Sequence, residues 1–341
     1  MYFKPFKAII WLSIIILISG CDSRFKAELL LSDYVQDLDR SQLIEIDAPA
    51  IVMPTGFPQA RYRRNTLSEF DVSLIDFLSL QRCDIGIVAG RKNSILGRVM
   101  LDSQRFLYEI DIVRAIESCS IDDSALEKEL MAVAQQKRIE LPKAFGNAIF
   151  NGDESEAFFS LSNGFLPLNY STAKQQSLLN ALTRFVKIGS DVEALPVIQS
   201  DVFEQDLKHL MDSEYAGRLL FSLMYIRRYL DQVTAQVSQL SEKDCGAPVN
   251  YLKQQFEVHY VKQVQPYMGR LSQSAYQVLP LLNELVELSH LTPEMRVFFK
   301  QYDMTSDQSE WQQYQIASQR HAKAWSALFH VCGMGVGGQS N

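Results

Sequence analysis

Residues 219–240, LLFSLMYIRRYLDQVTAQVSQL, decide the fold. Leu219, Leu223, Ile226, Leu230, Val233, Val237 and Leu240 recur there in strict 4-3 spacing, which gathers them on one face of an α-helix and fits no alternating strand. The same spacing returns near the C-terminus at Trp311, Tyr314, Ser318, His321, Trp325, Leu328 and Cys332. Two such stripes, with Tyr251 to Leu288 between them, predict the walls of a helical bundle. Heptads of this kind also build coiled coils between chains. Three heptads broken by Pro248, Pro266 and Pro280 favour packing within one chain.

Outward from these stripes the pattern stays helical. Phe25 to Leu38 reads as an amphipathic helix with Leu29, Leu30, Tyr34, Val35 and Leu38 on or near one face. Residues 43–66 carry Pro49, Pro54, Gly56 and Pro58 and the run Arg61-Tyr62-Arg63-Arg64, which predicts an extended segment ordered by packing. Leu43–Ile46 and Ala50–Met53 suit short strands, but nothing alternates long enough to make a sheet. Helices resume near Ser68, with Leu74, Ile75, Leu78 and Leu80 ahead of Cys83. The Gly86-x-x-x-Gly90 spacing suggests that a helix over 84–100 packs closely on a neighbour. A turn at Leu101-Asp102-Ser103, with two good N-caps, starts a returning helix whose Phe106, Leu107, Ile110 and Val113 share a face. Ser124 to Arg138 is another helix, Pro142, Gly146, Gly152, Gly164 and Pro167 mark 141–170 as irregular, and Thr172 to Val186 leads to a linker around Pro196. The expectation is an all-α, multi-helix bundle of long antiparallel hairpins. Its parts are an N-terminal subdomain over 21–140 and a C-terminal bundle over 141–341, which are free to form one continuous domain.

Composition bounds the class. The 341 residues are 47% hydrophobic and 21% charged, which suits a packed globular body, and the formal charge of −7 argues against nucleic acid as a partner. Lys4 and Lys7 precede the apolar run Ala8 to Ile18. That run is short for a membrane span, which needs about 20 residues, and right for a signal-peptide core of roughly 7–15. Leu17-Ile18-Ser19-Gly20-Cys21 resembles the lipobox of bacterial lipoproteins, so residues 1–20 are expected to leave and Cys21 to carry lipid. An uncleaved anchor is the alternative. Either way the body lies outside the cytoplasm, on the periplasmic face of a membrane. Asp22 resembles an inner-membrane retention signal. Loss of the leader, with Lys4 and Lys7, leaves 321 residues of formal charge −9.

Four of the five cysteines then remain, an even number in an oxidising compartment. They allow three pairings. Proximity favours Cys83 with Cys119 and Cys245 with Cys332, and each pair brackets a breaker-rich turn, at 101–103 and at Ser289-His290-Leu291-Thr292-Pro293.

No complete catalytic constellation appears. Ser171-Thr172-Ala173-Lys174 has the spacing of a penicillin-binding nucleophile and base, but the partners it needs are missing and helix capping explains it. Glu117-Ser118 and Glu154-Ser155 echo lytic transglycosylases in two residues only. Gly333-Met334-Gly335-Val336-Gly337-Gly338 has the dinucleotide-loop spacing without a strand before it or a helix after it. The histidines, His209, His259, His290, His321 and His330, never stand four residues apart, and no metal or cofactor is expected. His321 lies on an apolar stripe and reads as a core histidine. The densest polar cluster includes Asn93, Ser94, Arg98, Gln104, Arg105 and Glu109. It is expected to form a hydrogen-bonded network at the tip of the first disulfide hairpin, as a structural core or as an anion or peptide-terminus site.

That cluster carries a resemblance. Arg91 to Met100, then Ser103-Gln104-Arg105 and Leu107-Tyr108-Glu109, with Cys83 and Cys119 flanking them, resembles a family of uncharacterised proteobacterial lipoproteins built on a domain of unknown function. Gln265-Pro266-Tyr267, His321 with Trp325, and Cys332-Gly333 extend the likeness over the mature chain. Arg91-Lys92 stands here where the family pattern has Glu-Arg. The resemblance implies export and architecture, with no activity attached. The functional expectation is a non-catalytic envelope factor that binds a protein or cell-wall partner and is held to the membrane by its lipid. The alternatives are a peptidoglycan-active hydrolase or acyl-transfer enzyme using Ser171 and Lys174, and a carrier of an apolar ligand.

Overall fold

The computed structural model describes residues 26–47, 49–50, 52–69, 83–93 and 97–335. The leader, Cys21, Ser94 and the apolar positions 74–80 lie outside the described residues. Among those described there is no strand.

Helix α1 (Lys26–Asp39) buries Ala27, Leu31, Tyr34, Val35 and Leu38. Leu29, expected on that face, is 61% exposed because the buried stripe runs through Ala27 and Leu31 instead. The next segment is extended apart from one helical turn, Ala60–Arg63. Ile44 and Ile46 are buried, yet side chains rather than a ladder pin the segment. Asn65 and Asn147 exchange two bonds of 2.8 Å, and Gln301 brackets Thr55 with bonds of 2.9 and 3.0 Å. Arg63, 4% exposed, stacks 4.5 Å from the Phe57 ring and pairs with Glu156.

Two helices, α2 (Asp84–Asn93) and α3 (Asp102–Glu117), fold back on each other as an antiparallel pair. Cys83 and Cys119 bridge their far ends with Cα atoms 5.7 Å apart, as expected. The first helix is described as far as Asn93, and the stretch expected to carry it to 100 is 3-10 rather than α-helical at Gly97–Val99. Helix α4 (Ser124–Phe150) starts at an Asp123 cap, whose carboxylate accepts the amides of Ala125 and Leu126, and packs along α3. It does not stop at Arg138. An internal proline costs a helix about 3 kcal/mol, but Leu141 just before Pro142 and Phe145, Ile149 and Phe150 beyond it are all buried and offset it. The boundary expected at 140–141 therefore falls inside a helix.

The remainder comprises α5 (Asp153–Phe159), α6 (Thr172–Ser190), α7 (Ser200–Ser213), α8 (Tyr215–Val237), α9 (Ala247–Gln255), a π-helix (Phe256–Val264), α10 (Gln265–Leu288), α11 (Pro293–Phe299) and α12 (Glu310–Val331). The two heptad helices, α8 and α12, pack against each other, and α10 lies on α6. Ala317 rather than Ser318 is buried in the α12 stripe. Cys245 and Cys332 bridge with Cα atoms 5.4 Å apart, which ties the end of α12 to the turn before α9. One hydrophobic core runs from Ala27 through Phe145 to Phe329.

Where α12 meets α1 and the π-helix, His321 is completely buried. Trp325 Nε1–H donates to its Nε2 at 3.2 Å, the Tyr34 hydroxyl lies 3.0 Å from the same nitrogen, and the Tyr260 ring sits 4.6 Å away. Burial lowers its pKa to about 3, so this imidazole is a neutral core group.

Candidate functional site

The apolar faces of α3 and α4 meet over an ionic cluster. Arg105 and Glu109 stand one turn apart on α3 and form an ion pair. From α4, Lys137 Nζ reaches the other Glu109 oxygen at 2.7 Å and donates to the Ser68 carbonyl at 3.2 Å. Glu109 is 3% exposed and Lys137 is 1% exposed. The end of the extended segment closes over them. Ser68 gives both its N–H and its hydroxyl to Glu140 Oε2 at 2.8 Å, and Arg105 Nη2 donates to the Ser68 carbonyl at 3.3 Å. Exposed Glu69 pairs with Lys92 of α2 and lies 3.5 Å from Arg105. Lys92, Arg105 and Lys137 thus balance Glu69, Glu109 and Glu140.

The electrostatics follow from that crowding. Burial, then the neighbouring Arg105 and Lys137 charges, lower the Lys92 pKa to about 8, against the pull of Glu109. For Glu140, burial raises the carboxyl, but the hydrogen bonds from Ser68 and Gln136 and the Lys137 charge outweigh it and hold the pKa below its ordinary value.

Of the polar residues expected to assemble here, Arg105 and Glu109 are in the cluster. Gln104 points the other way and donates to Ser200 at 3.2 Å and to Glu204 across on α7. The side chains of Asn93 and Arg98 lie outside the described residues, like Ser94. Lys137, Ser68 and Glu140 were not singled out from the sequence. A signal was present for Lys137, which interrupts the stripe Leu130, Ala134, Leu141 at helical spacing.

Tyr108, next to Glu109, links the cluster to a cleft. Its ring packs under Arg105 and Lys92, 5.5 and 6.0 Å from the ring centroid. The residue is 2% exposed, and its hydroxyl has no hydrogen-bond partner among the described residues. Burial, reinforced by the Glu109 charge, drives its pKa up, so it stays a neutral donor. The cleft it lines holds about 220 Å³, with Met100, Leu107, Ile110, Pro196 and Ile198 as apolar walls and Arg91, Gln104, Asp111 and Ser200 as polar ones.

The far wall is a strap between α6 and α7. After a tight turn at Val192–Ala194, Leu195 takes a left-handed backbone (φ 54°) and the chain runs extended to α7. Arg114 Nη2 grips the carbonyls of Leu195 and Pro196, each at 2.7 Å, and Arg138 grips that of Glu193 at 2.6 Å. These arginines are themselves fixed: Arg114 shares Asp111 with Arg91, and Arg138 meets both Glu117 oxygens at 2.5 and 2.7 Å. Glu117 is therefore an ion-paired carboxylate with its pKa lowered by the Arg138 bond, not a free acid. Val99 and Leu101, on either side of the cleft residue Met100, and Val197, between the cleft residues Pro196 and Ile198, are 76%, 68% and 85% exposed.

The other sequence candidates lie apart from this place. Ser171 is exposed at the start of α6, and the Lys174 side chain is outside the described residues. No group of three His, Cys, Asp or Glu residues that could hold a metal ion occurs among the described residues.

A family model described as a protein of unknown function, DUF3080, matches residues 31–336. The chain belongs to this family. The match runs from within α1 to beyond α12, so the ionic cluster, the strap and both disulfides are inside the family's domain. No curated protein and no solved structure matches the chain.

Proposed function

We propose that the protein is a lipid-anchored, non-catalytic binding factor of the cell envelope. In this reading the chain matures at Cys21, its acyl groups hold it at the inner membrane, and the folded body faces the periplasm and recruits a protein partner. The lipobox at 17–21 supports the anchor, and the two disulfides suit an oxidising compartment.

One observation carries the binding role: Val99 and Leu101 flank Met100, and Val197 lies between Pro196 and Ile198, so strongly exposed apolar residues adjoin in the chain the walls of a cleft whose strap side is clamped by Arg114 and Arg138. Scattered apolar residues on a surface need no explanation, whereas a patch of them around a fixed concavity marks an interaction site. A photo-crosslinking residue placed at Leu101 or Val197, and at exposed Ile139 as a control, tests this in intact envelopes. A discrete adduct with one protein from the first two positions and none from the third is expected. Equal or no adducts from all three would refute the reading.

A further inference from the structure

A second cleft, of about 570 Å³, is lined by the C-terminal end of α10, by α11 and by the chain that follows it. That volume lies inside the roughly 300–1,000 Å³ of small-molecule pockets. Asn283 and Glu287 stand one turn apart on α10 and line it, as do Arg296 and Lys300, one turn apart on α11 and its continuation. Among the described residues, none of these four side chains makes a hydrogen bond or an ion pair. Val286 and Phe299 supply apolar wall.

The charges of both signs are disfavoured as they stand. Glu287 lies in the last turn of α10, at the negative end of the helix dipole, and no basic residue shares that turn. Arg296 and Lys300 are like charges at i and i+4, a spacing at which they repel. Acid and bases line one cleft yet form no ion pair with each other, and all three are exposed to an incoming solute. The cleft's other carboxylate, Asp303, is occupied, since it accepts the amide of Thr305 at 2.8 Å and its hydroxyl at 2.7 Å. A bound anion would relieve only the bases, and a cation only the acid. A molecule carrying both charges relieves both, and the free carboxamide of Asn283 offers the donor and the acceptor that a peptide group takes.

From these observations we infer that this cleft binds a short peptide with free ends, its ammonium on Glu287, its carboxylate on Arg296 and Lys300, and its peptide group on Asn283. The site shares no residue with the cleft beside the strap and does not depend on the protein partner proposed above.

The test is ligand-observed NMR titration of the mature protein in detergent with alanylalanine and leucylleucine, and with the N-acetyl and C-amide forms of each. At least one free dipeptide is expected to saturate with a Kd below about 1 mM. Blocking either end should weaken it roughly tenfold, the loss of one charge-assisted bond. Glu287→Gln should weaken the free dipeptide by the same factor and leave the N-acetyl form unaffected, whereas Arg296→Gln with Lys300→Gln should weaken the free dipeptide and leave the C-amide form unaffected. The substituted positions are exposed, so the melting temperature should stay that of the parent, which separates lost binding from lost folding. Failure of both dipeptides to saturate, affinity indifferent to blocking either end, or variants that weaken every form alike would overturn the inference. So would displacement by inorganic phosphate as effective as by a dipeptide, which marks a plain anion site. Crosslinking from Leu101 and Val197 is read separately, so the partner reading and this one can each fail alone.

Discussion

Replacing Glu109 with glutamine should damage this protein more than any substitution of an exposed charge. The carboxylate is 3% exposed and sits between Arg105 and Lys137, the latter 2.7 Å away and 1% exposed. Without it, two cations face each other behind the chain closed by Ser68. Removing one member of a buried ion pair costs about 3–5 kcal/mol, and the expected loss lies in that range because buried Lys137 loses its ion pair and Arg105 keeps only the exposed Glu69 at 3.5 Å. Lys137→Met should fall near the bottom, about 3 kcal/mol, since Arg105 still neutralises Glu109. The paired replacement Glu109→Leu with Lys137→Met removes the desolvation problem and should recover most of the loss. Urea unfolding followed by circular dichroism, with both disulfides intact, measures all three. A Glu109→Gln loss below about 1 kcal/mol, or a double variant no better than the sum of its parts, would refute the account of the cluster as a mutually dependent buried unit.

Reduction of the bridges should release about 4 kcal/mol for the 36-residue separation and about 4.5 kcal/mol for the 87-residue one on the loop-entropy model. A melting temperature unchanged by dithiothreitol would contradict this. His321 gives a pH prediction with a definite sign: its folded pKa of about 3 lies below the ordinary value of 6.5, so the unfolded chain takes up the proton first and stability falls as pH drops from about 6.5 toward 3. His321→Gln should flatten that slope, which approaches about 1.4 kcal/mol per pH unit, and a slope identical to the parent's would sink the assignment. For the anchor, radiolabelled palmitate should enter the parent and not Cys21→Ser; label persisting in the variant rules out lipidation at this cysteine.

Much of the architecture was legible because it depends on short-range spacing. The 4-3 stripes of α8 and α12 mark buried helix faces that meet in the folded chain. Cys83 and Cys119 flank a turn placed near their midpoint, and the bridge forms as that symmetry implies. Local rules failed where tertiary burial outweighed them. Pro142 and Gly146 argue for a break, yet the buried Leu141, Phe145 and Ile149 carry the helix through, and Gly146 sits where an added Cβ would come within 3.2 Å of Ser289. The π-helix at Phe256–Val264 has no advance mark in the residues that form it.

The candidate site shows the same division. Arg105 and Glu109 are four apart on one helix, and their pairing follows from that alone. Lys137 joins them from 28 residues away, and Arg114 finds the Leu195 carbonyl across 81. By itself the sequence determined the helical class and the apolar stripes and favoured the cysteine pairs, since these follow from periodicity or from the closure of a simple hairpin. Only the tertiary structure decided which polar groups share a desolvated space, that Lys137 and Glu109 neutralise each other there, and that Arg114 and Arg138 clamp the strap at Glu193–Pro196. Those outcomes depend on which distant surfaces exclude water from one another, and no local pattern of residues encodes that.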